Sequence, residues 1–143
     1  VVRLLKWWKK EQAEKDSSFR FKSFMIELIC AHLADTGTDM SDCRRAIEAF
    51  FNYIVNTGLK QRIAFTDYYN TSALPSTIAD PIQIFDPVNP KNNVASRYDD
   101  SQRRRIVVAA QQGLDAINEA HTAATKTHAL PLWQEVLGNS FRG

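Results

Sequence analysis

A chain of 143 residues, 44% hydrophobic and 24% charged, is long enough to bury one ordinary core without disulfide or metal staples. Its formal net charge of +2 gives no overall field for nucleic acid or an anionic membrane, and two separated cysteines with three scattered histidines do not make a zinc site. No apolar run nears the roughly 18 residues of a membrane helix, no signal peptide is expected, and Cys30 and Cys43, each inside an apolar helical pattern, are expected to be free buried thiols in a reducing, cytoplasmic setting.

The opening Val1-Val2-Arg3-Leu4-Leu5-Lys6-Trp7-Trp8 is already in helical register, with no initiator Met or capping residue before it, so the chain is expected to be cut from a longer one. A first helix is predicted to about residue 15, with Val1, Leu4, Leu5 and Trp8 at i, i+3, i+4 and i+7 as its apolar stripe. Arg3, Lys6 and Lys10 make a cationic stripe on another face. Like charges so spaced cost a helix roughly 0.2–0.5 kcal/mol per pair; a bound anion would relieve that cost, and Glu14 relieves only part of it. Lys9, Lys15, Arg20 and Lys22 add to this basic end against Glu11, Glu14 and Asp16, an excess that suits an anionic ligand or a solvated helix face.

Asp16-Ser17-Ser18 supplies a break and a cap for a second helix, about 18–35. Phe21, Phe24, Met25, Leu28 and Ile29 line one side of it, Ile26 and Cys30 fill the other, and Lys22, Ser23 and Glu27 are the polar exceptions. A helix so apolar is expected to be central and buried. Gly37 ends it, and Asp39 or Ser41 caps a third helix, about 40–57, whose inner face is Cys43, Ala46, Ile47, Phe50, Phe51, Ile54 and Val55 before Gly58 closes it. Arg62–Phe65 and Pro81–Phe85 are β-prone runs either side of a polar loop, Asp67–Ser76, and are predicted to pair as a small two-stranded ribbon. Asp99 with Gln102 forms a capping pair for a long helix, about 100–126. Its inner face of Ile106, Ala109, Ala110, Gly113, Leu114, Ile117, Ala120 and Ala124 is small enough for close helix approach. Leu130–Leu137 adds a short terminal helix carrying Trp133. The fold class is mainly α, a helical bundle with a minor two-stranded β element, and residues 1–143 form a single unit.

Catalytic signatures are absent from the sequence. The two-metal site of nucleotidyl transfer needs carboxylates held after a Gly-Ser or Gly-Gly turn, as Asp-x-Asp; Asp99-Asp100 is adjacent instead and reads as a helix cap. There is no nucleophile elbow, Walker loop or dinucleotide fingerprint, and His32, His121 and His128 lack a Cys or Ser with a supporting acid. Binding chemistry remains. Lys6 and Ser23, with Lys22 beside it, suit a triphosphate if the first two helices pack antiparallel; the alternative for Ser23 is back-bonding to the carbonyl four residues earlier. The loop Phe85-Asp86-Pro87-Val88-Asn89-Pro90-Lys91-Asn92-Asn93-Val94 braces one carboxylate and three carboxamides between prolines, either for a flat polar base or as Asx turns joining strand to helix.

Three segments, in order, carry a resemblance: Arg3-Leu4-Leu5-Lys6-Trp7-Trp8, Phe21-Lys22-Ser23-Phe24-Met25-Ile26-Glu27-Leu28, and Ile82–Ala95. Together they resemble the C-terminal helical domain of 2′-5′-oligoadenylate synthetase-like and cyclic GMP-AMP synthase-like nucleotidyltransferases, nearest to bacterial cyclic-oligonucleotide synthases of anti-phage signalling. The end of the chain, with Trp133-Gln134 and Gly138-Asn139-Ser140-Phe141, is similar to the tail of those enzymes. The resemblance implies a nucleotide-binding lobe whose catalytic partner, a polymerase-β-like N-terminal lobe holding Mg²⁺, lies outside this chain. It implies that Lys6, Ser23 and Lys22 contact an ATP- or GTP-class triphosphate, and that Asp86, Asn89, Asn92 and Asn93 lie near the nucleobase. The whole enzyme would then make a cyclic di- or oligonucleotide, while this part alone is inactive. No zinc ribbon is present, so nucleic acid is not expected as a partner. Two other readings stay open: a non-catalytic module in which the Trp7/Trp8 pair docks a protein, and a lobe of a poly(A) polymerase-like enzyme acting on RNA ends.

Overall fold

A computed structural model describes residues 1–122 and 126–142, leaving aside the side chains of 126 and 127. Five α-helices make up most of it: α1 (Val2–Lys15), α2 (Ser23–Asp35), α3 (Cys43–Thr57), α4 (Asp100–Thr122) and α5 (Lys126–Leu137), with a 3-10 turn at Thr71–Ala73. The mainly α class expected from the sequence is therefore found. No helix among the described residues is long and apolar enough to cross a membrane.

The core is built around Trp8. Its fully buried indole meets Phe19, Phe21, Phe50 and Phe51 edge to face, with centroids 4.9–6.4 Å away, and so joins α1 to α3 and to the segment between α1 and α2. Edge-to-face pairs of this kind add about 0.5–1.5 kcal/mol each beyond the area they bury. Trp8 is thus unavailable to dock a partner, which corrects the Trp7/Trp8 expectation; Trp7 alone is 44% exposed, its Nε1 donating to Glu11 Oε1 at 3.3 Å.

The second helix starts at Ser23, not near 18. Asp16 Oδ1 accepts from the Ser18 amide at 2.9 Å and turns the chain, after which Phe19 and Phe21 are both buried from an irregular segment. Phe21 fits a period of two as well as the helical period, so the sequence pattern ran the helix one turn too far back. Met25, Ile26, Leu28, Ile29 and Cys30 are buried as expected and Leu33 joins them, but Phe24 is 42% exposed. The third helix is capped by Asp42, whose carboxylate accepts from the Arg45 amide at 3.1 Å; Asp39 instead accepts from Ser41 Oγ and the Ser41 amide. That register places Cys43 in the exposed first turn, so Cys30 is buried and Cys43 is not. Gly58 ends α3 in the left-handed conformation (φ 61°).

The Asp99/Gln102 capping box forms as expected, at 2.7 and 2.9 Å. The small face of α4 packs on α3, where Ile106, Ala109, Ala110, Gly113, Leu114, Ile117 and Ala120 are buried; Ala124 lies outside the described residues. The terminal helix begins at Lys126, earlier than expected, and runs through Pro131 to bury Trp133.

The expected two-stranded ribbon is replaced by isolated bridges among the described residues. Ile63 pairs in parallel with Ile84, and Phe85 pairs antiparallel with Asn93. The run after Phe85 turns back on itself instead of extending beside Arg62–Phe65, which leaves room for one residue pair on each side.

Candidate functional site

Lys6 Nζ lies 2.5 Å from Glu27 Oε1, and Lys9 Nζ donates to Ser23 Oγ at 3.0 Å. The later residue on α1 meets the earlier one on α2, so the helices run antiparallel, the arrangement that brings Lys6 and Ser23 to one face. The direct partner of Ser23 is nonetheless Lys9. The back-bonding alternative lacks its helical turn, because Ser23 opens its helix and Phe19, four residues before, lies outside any helix. Burial, and then the charge of Lys6, lowers the Lys9 ammonium below the ordinary lysine range.

Lys22 sits just before α2 in extended conformation, and the N-terminus of α2 has no side-chain cap, whereas α3 is capped by Asp42. The first N–H groups of an α-helix lack intrahelical acceptors, and the helix dipole makes that end attractive to anions. The Lys22 amide donates to Tyr98 Oη at 2.9 Å, while its ammonium donates to the Val94 carbonyl at 3.3 Å. This second bond ties the start of α2 to the residue that follows Asn93.

The proline-braced loop is held largely by itself. Asp86 Oδ1 accepts from the Val88 amide at 2.8 Å, Asn89 Oδ1 accepts from the Lys91 amide at 3.1 Å, and Asn92 Nδ2 donates to Asp86 Oδ2 at 3.4 Å. Asn89 and Asn92 are exposed and Asp86 is half-buried. Asn93 is different. It is 6% exposed; its Oδ1 accepts from the Ile84 and Ala95 amides, and its Nδ2 donates to Asp80 Oδ2 and the Ile82 carbonyl, at 2.7–3.0 Å. Two acceptor and two donor positions are the whole capacity of a carboxamide, so Asn93 is fully occupied inside the fold.

The structure therefore sets Lys9 on Ser23 and Lys6 on Glu27 one turn further along α2, while Lys22, just before the helix, ties it to the loop through Val94. Lys9, the direct partner of Ser23, is not among the candidates the sequence offered; its spacing of three from Lys6 was the available signal. Glu27 was seen only as a polar exception. Elsewhere, His32 tilts against Tyr53 with its imidazole pKa lowered by burial, and His121 Nδ1 lies 4.0 Å from Glu48. Asp100 serves Arg103 and Arg104 in the first turn of α4. No group of three His, Cys, Asp or Glu side chains among the described residues is arranged to hold a metal ion.

No protein-family model matches the chain. Over all 143 residues it is 48% identical to a cyclic AMP-AMP-AMP synthase of Escherichia coli (strain MS 115-1), of which it covers 44%. It is 32% identical over 142 residues to a CBASS oligonucleotide cyclase CdnC of Escherichia coli (strain KTE188), covering 41% of that protein. Two solved structures share 48% identity over 99% of this chain: E. coli MS115-1 CdnC with ATP, at a TM-score of 0.94, and the CdnC:HORMA-deltaN complex, at 0.95. The chain spans less than half the length of these relatives, 44% and 45% of the two solved chains.

Proposed function

We propose, from the premise that this chain is over its whole length a relative of the C-terminal part of the CdnC nucleotidyltransferases, that it is the nucleotide-binding lobe of a cyclic-oligonucleotide synthase in anti-phage signalling. The whole enzyme joins nucleoside triphosphates with loss of pyrophosphate. ATP is the favoured substrate, because one relative makes cyclic AMP-AMP-AMP and one neighbour was solved with ATP. The neighbour's complex with a HORMA protein supports the same class of partner here. The reading places the protein in the cytoplasm.

Within this lobe, Lys6 and Lys22 neutralise the triphosphate, Ser23 offers a hydroxyl, and the first amides of α2 point at the same anion. Such groups act by charge stabilisation and positioning, most of what phosphoryl transfer asks of a protein. Asp86, Asn89 and Asn92 lie nearest the base, on a loop whose shape Asn93 maintains. The Mg²⁺ implied by the resemblance finds no fitting ligand set among the described residues, so that metal is assigned to the other part of the enzyme.

The observation that supports this reading is that the antiparallel contacts Lys6–Glu27 and Lys9–Ser23 bring the basic side of α1 against the first turns of α2, whose N-terminus lacks a side-chain cap and follows directly on Lys22. Its test is the affinity of the full-length protein for a non-hydrolysable ATP analogue. Charge-assisted hydrogen bonds are worth about 1.5–3 kcal/mol, so Lys6→Ala with Ser23→Ala should weaken binding by at least tenfold. Unchanged affinity would overturn the reading.

A further inference from the structure

We infer that Lys9 is a positioning residue which fixes the Ser23 hydroxyl as a hydrogen-bond donor toward a bound triphosphate. This deepens the nucleotide-binding reading and rests on it. An ammonium has three donors and no acceptor, so at 3.0 Å the Lys9 nitrogen donates and Ser23 Oγ accepts. The hydroxyl proton then turns away from Lys9. A serine hydroxyl left to itself donates or accepts as its surroundings ask; with its oxygen engaged by a donor, its own proton is left to donate elsewhere. That is the state a phosphate oxygen needs.

Two further observations separate Lys9 from an ordinary surface lysine. Arg3 and Lys10 point outward on α1, whereas Lys9 is half-buried on the flank that meets α2. Its partner is a neutral hydroxyl, while the nearby carboxylate, Glu27, is taken by Lys6. Lys6 is thus matched by a carboxylate, and Lys9 is not. The remaining positive charge sits behind Ser23, on the side away from its proton.

The test uses the full-length protein, with affinity for a non-hydrolysable ATP analogue and KM and kcat for ATP measured on Lys9→Met, Lys9→Gln, Ser23→Ala, Lys6→Ala and Lys9→Met/Ser23→Ala. Lys9→Met is expected to weaken binding about tenfold, as Ser23→Ala does, from the loss of one hydrogen bond. The double variant is expected to bind like Ser23→Ala alone, because Lys9 acts through that hydroxyl. Lys9→Gln keeps a donor without the charge and should retain most of the affinity. If the double variant loses the product of the two single losses, or if Lys9→Gln falls as far as Lys9→Met, Lys9 acts as an independent charge and the inference is wrong. If Ser23→Ala weakens binding and Lys9→Met does not, the inference fails while the nucleotide site stands. If Ser23→Ala and Lys6→Ala are both without effect, the site itself is refuted.

Discussion

Asn93 shows how far a single side chain can depart from what its type suggests. In the sequence it is one of three carboxamides in a polar loop, indistinguishable from Asn89 and Asn92. In the fold it is a four-way junction whose partners, Asp80 and Ile82, lie thirteen and eleven residues away, too distant for any local pattern to reveal. Truncating it strands the Ile84 and Ala95 amides. Asn93→Ala should cost about 3 kcal/mol, since each buried unpaired donor costs roughly 1–3 kcal/mol, and urea unfolding would measure it. Asn89→Ala, at an exposed site, should cost under about 1 kcal/mol in the same assay. The cysteines divide in the same way. Burial pushes the Cys30 thiol up to about 11 from an ordinary 9.0. The folded state therefore holds that proton longer than the unfolded chain, and the stability Cys30 lends is complete below pH 9.0 and lost as pH rises through about 11. Iodoacetamide at neutral pH should modify Cys43 in the native protein and reach Cys30 only after unfolding, as read by mass spectrometry.

Among the elements, helix faces were the most legible part of the sequence. The apolar stripe of α1, the aromatic face of α3 and the small-residue face of α4 all follow the 3.6-residue period and were read in register. Element starts were less so. Asp39, Ser41 and Asp42 are all competent caps within four residues, and only the packing of Ala46, Ile47 and Phe50 selects Asp42. The α3–α4 contact has a sharp test. A β-carbon at Gly113 would lie 2.8 Å from Phe51 Cε2, and Phe51 is wholly buried among Trp8 and Phe50. Gly113→Ala should therefore destabilise by about 1–3 kcal/mol from overpacking, even though alanine favours a helix interior by roughly 1 kcal/mol. A thermal midpoint that rises instead would show that α4 can slide.

For the molecule as a whole, composition announced a core and helical periodicity announced the architecture. The site needed the third dimension: that Lys6 and Ser23 share a face follows from the antiparallel contact of α1 with α2, but that Lys9 rather than Lys6 holds Ser23 is a matter of side-chain reach. The chain on its own is expected to turn over no ATP, a result that thin-layer or chromatographic product analysis would check with the full-length protein as the positive control.

Lys22 has one ammonium and two claims upon it. The ammonium serves the Val94 carbonyl, and the Lys22 amide is held by Tyr98 Oη. A phosphate that drew the ammonium away would leave Val94 to water without loosening the backbone anchor. Occupancy at the head of one helix would then be felt as a slackened tether on a segment more than seventy positions downstream.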